Sequence, residues 1–127
     1  MILNVTGVWK SVNTSSILKN WIGATHRMER KPIIKMYFSK YREAWFSLSE
    51  ERKMEIELEA RGKFKEVGGK AIIRCASYWS NEGWTWFGIE EYPDIEAVQR
   101  FAEFLVELGW PRYVESKTYL GTRQESQ

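Results

Sequence analysis

From Ile33 onward the spacing of apolar side chains switches between a two-residue and a 3.6-residue repeat, and the order of the switches is the strongest constraint on the fold. Residues 33–41 alternate, with Ile34, Met36 and Phe38 on one side and Lys35, Tyr37 and Ser39 on the other, which predicts a strand. A helix is expected over residues 48–67. The run Ser47-Leu48-Ser49-Glu50 offers a capping box and Gly68-Gly69 a stop. Its apolar stripe is Ile56, Ala60, Phe64 and Val67, interrupted by Glu57 and Arg61 at the spacing of an i,i+4 ion pair.

Residues 70–79 alternate again, with Ala71, Ile73 and Cys75 opposite Ile72, Arg74, Ala76 and Tyr78. Turn residues fill 80–83, and residues 84–92 return to extended character, so the two segments form a hairpin. Asp94 is a suitable N-cap for a second helix that Gly109 closes. On it Ile95, Val98, Phe101, Ala102, Leu105 and Leu108 share one face. Residues 113–121 alternate once more and make the fourth strand.

Strand, helix, strand, strand, helix, strand is the split βαβ order, an α+β class with a four-stranded antiparallel sheet and both helices on one face. The helices are expected to cover the side carrying Ile34, Met36 and Phe38. The other side, expected to hold Tyr37, Arg74, Tyr78, Trp84, Trp86 and Tyr119, is too aromatic to be left to water, and a second copy across a twofold axis would cover it.

Composition narrows the class further. The length of 127 residues suits one domain, and 43% apolar with 28% charged residues is globular usage. No run reaches the roughly 18 apolar residues of a membrane span, and the amino terminus lacks the apolar core of a signal peptide. A lone Cys75 excludes an intrachain disulfide and fits a reducing compartment, so a cytoplasmic location is expected. Of the 19 Lys and Arg residues, five fall in residues 1–32, a basic extension; residues 33–122 form the domain and 123–127 a tail. With the basic excess outside the folded body, a nucleic-acid role is disfavoured.

Four stretches carry a family likeness: residues 43–52, with Trp45, Phe46 and Glu50; residues 83–90, with Gly83, Trp84, Trp86 and Glu90; residues 92–98, with Tyr92, Pro93 and Asp94; and residues 108–113, with Gly109, Trp110 and Pro111. They resemble an uncharacterised branch of the dimeric α/β-barrel superfamily, whose subunits are ferredoxin-like. The resemblance implies a homodimer with a small-molecule cavity on the sheet side. The superfamily includes cofactor-free monooxygenases, isomerases, cyclases, haem enzymes and modules without established activity, and fold alone does not choose among them.

His26 is the sole histidine and lies outside the domain, so no axial haem ligand of the usual kind and no His/Cys cluster with metal spacing is expected; neither metal nor cofactor is assigned. Charged residues at inward positions must pair, reach outward or meet a ligand. The bland reading pairs Glu90 or Glu115 with Arg74 or a nearby Lys across the sheet. In the functional reading Arg74 binds an anionic or enolate oxygen, Tyr37, Tyr78 or Tyr119 donates a hydrogen bond or proton, and Glu90 or Glu115 is the base, while Lys35, Tyr78, Trp84, Trp86 and Tyr119 contact the ligand. The expected function is then small-molecule binding, with cofactor-free oxygenation, isomerisation or cyclisation of a small enolisable or aromatic compound. The alternative is a non-catalytic ligand-binding or interaction module.

Overall fold

The computed structural model describes residues 31–125. The segments suggested by Ile2–Trp9 and Ser16–Ile22, and His26 with them, lie outside the described residues. The element order is β1 (Ile33–Tyr41), α1 (Glu43–Phe46), α2 (Glu50–Glu66), β2 (Lys70–Ala76), β3 (Trp86–Tyr92), α3 (Ile95–Leu108), α4 (Trp110–Tyr113) and β4 (Val114–Gly121). The four strands form one antiparallel sheet in the order β2-β3-β1-β4. Each long helix therefore crosses over one intervening strand, as the alternation predicts. The one-turn helices α1 and α4 were not legible from periodicity, because four residues are too few to display it.

Local chemistry explains the boundaries. Ser49, rather than Ser47, caps α2: its side chain accepts the Arg52 N–H at 3.1 Å. Ser47 instead closes α1. Asp94 caps α3 by accepting the Ala97 N–H at 2.8 Å, and Gly109 ends it with φ 84°. The hairpin loop is longer than the turn signals imply. Ser77 donates to the Trp84 carbonyl at 2.8 Å, and the Asn81 side chain accepts the N–H groups of Gly83 and Trp84, so the strands stop at Ala76 and start at Trp86.

The main core joins α2, α3 and the end of β3: Phe64, Val67, Tyr92, Ala97 and Phe101 are all buried. Their rings meet edge to face, Phe64 lying 5.6 Å from both Tyr92 and Phe101. A second aromatic group sits at the opposite end of the sheet. There Tyr41 stacks on buried Trp45 at 4.6 Å, and Trp45 meets Trp110 and Tyr113 edge-on, so α1 and α4 close that end together.

The sheet turns the other way up from the expectation. Lys35, Tyr37, Arg74, Trp86 and Glu90 face α2 and α3, whereas Ile34, Met36, Ile72, Ile89 and Tyr119 line a shallow groove on the uncovered side. Met36, Ile73 and Tyr119 are 40%, 49% and 53% exposed. Greater apolarity of the Ile34–Met36–Phe38 stripe did not decide which side the helices take. A bulge contributes on β2: the register slips between Ala71 and Ile73, so Ile72 is the extra residue and Arg74, opposite Gly88, returns to the helix side.

Candidate functional site

Between the sheet and the two long helices lies a cavity of about 680 Å³. Its floor is the odd-numbered side of β1, Lys35 through Tyr41, with Trp86 and Glu90 of β3 and Val114, Ser116 and Thr118 of β4. Ala60 and Phe64 of α2, and Phe101 and Leu105 of α3, form the roof. At roughly 3.3 Å per residue, Lys35 and Tyr41 mark ends about 20 Å apart. Phe64 and Phe101 of the core lie at one end, and Trp110 with Pro111 at the other. Glu57 and Arg61, which break the apolar arc of α2, are cavity residues; Glu57 accepts from the Tyr41 hydroxyl at 3.4 Å.

The charged end has a specific geometry. Lys35 and Glu90 are direct cross-strand neighbours, with Nζ 3.7 Å from Oε1. The same carboxylate oxygen accepts the Tyr92 hydroxyl at 2.8 Å in a buried hydrogen bond. Three rings surround Nζ, with centroids 5.5 Å away for Phe101, 5.9 Å for Tyr92 and 6.0 Å for Tyr37. Burial draws the Lys35 amine below its ordinary range, against the pull of Glu90. Burial raises Tyr37 and Tyr92, and the Glu90 charge adds to both shifts.

Tyr37 occupies its place because β3 offers a glycine opposite it. A Cβ on Gly88 would stand 2.6 Å from the Tyr37 hydroxyl and 2.7 Å from the Ile73 carbonyl oxygen. Ser39 and Ser116 share a 2.8 Å hydrogen bond across β1 and β4, leaving a polar floor midway along the cavity.

Of the residues singled out in the sequence, the cavity brings together Lys35, Tyr37, Arg74, Trp86 and Glu90. The other four lie elsewhere. Glu115 projects from the uncovered side and pairs with Lys40 at 3.8 Å and Arg42 at 3.6 Å. Tyr119 is on that side too, and Trp84 packs there against Phe38, with Lys40 over its ring. Tyr78 is 71% exposed beyond the end of β2. The bland pairing expectation holds for Glu90 with Lys35 and for Glu115 with Lys40. Sequence reasoning missed Tyr92, Ser39, Ser116 and the helix α3 wall. Tyr92 stands two residues from Glu90 on the same strand face, a signal that the alternation already contained.

Among the described residues no group of three or more His, Cys, Asp or Glu side chains is placed to hold a metal ion. Nor does the cavity lining suit haem: among the described residues it has no His, Cys or Met, and burial of the Tyr37 phenol opposes the phenolate that an iron ligand requires. No helix among the described residues is long and apolar enough to cross a membrane.

No protein-family model and no curated protein matches the chain. Solved structures do. The RPA0582 protein of Rhodopseudomonas palustris, a protein of unknown function, aligns at 17% identity with a TM-score of 0.57 over 83% of this chain and 93% of its own. Its methylated form gives 0.56 over 84% and 92%. TA0507, a chlorite dismutase by provisional assignment, aligns at 20% identity with a TM-score of 0.57, covering 81% of this chain and 50% of that one. At these identities the likeness is one of fold: an α+β fold with a four-stranded antiparallel sheet is common to the set.

Proposed function

We propose that the chain is a small-molecule-binding protein of the dimeric α/β-barrel kind, with its ligand in the cavity between sheet and helices. The observation that carries this reading is an apolar space of about 680 Å³ on which Lys35, Tyr37, Arg74 and Glu90 converge at one end. Arg74 binds an anionic or enolate oxygen, Lys35 contacts the ligand beside it, Tyr37 donates a hydrogen bond to that oxygen, and Glu90 serves as the base. Trp86 shapes the wall against a flat or apolar ligand. A buried carboxylate beside shifted Lys and Tyr groups favours catalysis on an enolisable or aromatic compound over passive binding.

The reading includes a homodimer formed through the uncovered sheet face and a cytoplasmic setting in which Cys75 stays reduced. The test is native mass spectrometry for a co-purified small molecule, repeated on Arg74→Ala and Tyr37→Phe. Retention by the native chain and release from both variants at unchanged melting temperature is the expected result. Melting temperatures that fall in step with release would make the polar cluster scaffolding.

A further inference from the structure

Lys35 is set in the cavity floor in a way that an ordinary structural ion pair does not require. Its side chain is 17% exposed, its amine faces the cavity among three rings, and its carboxylate partner stands 3.7 Å away. At 3.7 Å the pair is longer than a direct charge-assisted hydrogen bond of about 2.8 Å, as are the ion pairs of Glu115. Glu90 is instead tied by the Tyr92 hydroxyl, which holds the carboxylate beside the amine. Lysines desolvated in this manner release their proton readily and become nucleophiles.

We propose that Lys35 forms a Schiff base with an aldehyde or ketone bound in the cavity, with Glu90 moving the protons. The proposal rests on the cavity being a small-molecule site. Glu90 takes one proton from the ammonium. The freed lone pair forms a C–N bond as the carbonyl π bond breaks, and Tyr37 relays a proton from nitrogen to the new alkoxide in one concerted exchange, giving its own as it takes the other, so that it stays a neutral phenol. The protonated Glu90 then delivers its proton to the hydroxyl, which leaves as water while the nitrogen lone pair closes the C=N bond. Glu90 ends ionised, Tyr37 neutral and the imine protonated. One water is lost and nothing is oxidised or reduced.

Arg74 specifies the substrate class. The row Arg74–Gly88–Tyr37 across three strands neighbours the row Ala71–Glu90–Lys35, two residues along and so about 7 Å away. Arg74 also stands two strands across from Lys35, so their Cα atoms are roughly 12 Å apart, a span that two long side chains facing one cavity can close on a small molecule; a carbonyl at the amine with a carboxylate on its guanidinium side points to 2-oxo acids.

The full native chain is incubated near neutral pH with benzoylformate and sodium cyanoborohydride, and adducts are located by peptide mass spectrometry. Mandelate, the alcohol counterpart that can occupy the site without forming an imine, is the competitor. Lys35 is expected to gain the reduced adduct at least about tenfold faster than exposed Lys117, since the bound carbonyl is held at the amine. Mandelate is expected to suppress the Lys35 adduct alone. Labelling of Lys35 no faster than Lys117, or untouched by mandelate, overturns the proposal. Heteronuclear NMR on the same samples separates the two levels: mandelate shifts at Tyr37 and Trp86 without a Lys35 adduct overturn the Schiff base and leave the binding site standing, whereas neither shifts nor adduct removes both. Lys35→Arg keeps the charge and is expected to retain the mandelate shifts while losing the adduct; the native-chain result decides if that variant does not fold.

Discussion

Buried tyrosines give the site a signature in alkali. Tyr37, Tyr41 and Tyr92 all ionise above their ordinary range, in each case first through burial. In the unfolded chain these phenols lose protons near pH 10, while the folded chain keeps them, so above that pH the folded state holds more protons and stability falls as pH rises. Lys35 works in the opposite sense, because its folded value is depressed, and its gain is complete by its unfolded value of 10.5. Stability should therefore decline clearly only above about pH 10.5. Phenolate absorbance near 295 nm should stop short of the amplitude for six tyrosines until circular dichroism reports unfolding. Full amplitude in a folded chain would show these hydroxyls to be wet. At this scale the sequence was silent about which side a residue takes: Lys35, Tyr37 and Glu90 stood out as charged or polar residues in alternating strands and share the cavity with Arg74 and Trp86, but alternation is symmetric between faces, and Glu115 and Tyr119 lie on the other one. The bulge at Ile72, which re-aims Arg74, has no marker in residue type.

Elements were the most legible level, since each strand and long helix carries its own repeat and caps. What blurred was α2. Its Glu57 and Arg61 looked like defects in an amphipathic arc and are in fact the cavity edge. Two glycines discriminate the roles of their elements. Gly62, midway along α2, has nothing within 4 Å of an added Cβ, so Gly62→Ala should raise stability by ~0.5–1 kcal/mol through helix propensity. Gly88, in β3, has the Tyr37 hydroxyl and a backbone oxygen in the way, so Gly88→Ala should lower stability by ~1–3 kcal/mol through overpacking and displace Tyr37. Urea midpoints for the two variants check both signs. A Gly88→Ala protein as stable as the parent would mean that Tyr37 is loosely held.

Among the described residues of the molecule, the face of the sheet turned away from the helices is apolar and uncovered. Monomers seldom leave so much apolar area to water, and Ile34, Met36, Ile73, Ile89 and Tyr119 make a contiguous stretch of it. Because Ile73 is half-exposed, Ile73→Lys should fold normally yet sediment as a monomer, while the parent sediments as a dimer at micromolar concentration. Identical sedimentation of the two would remove the dimer from the proposed function. Topology was readable in the sequence because strand order follows from the crossover rules, whereas the cavity was not, because it depends on how far α2 and α3 stand off the floor. The slipped register of β2 has one more consequence. It lies on an edge strand, where a kinked backbone is a poor template for a foreign chain. Growth by zipping edge to edge is thereby discouraged at that margin.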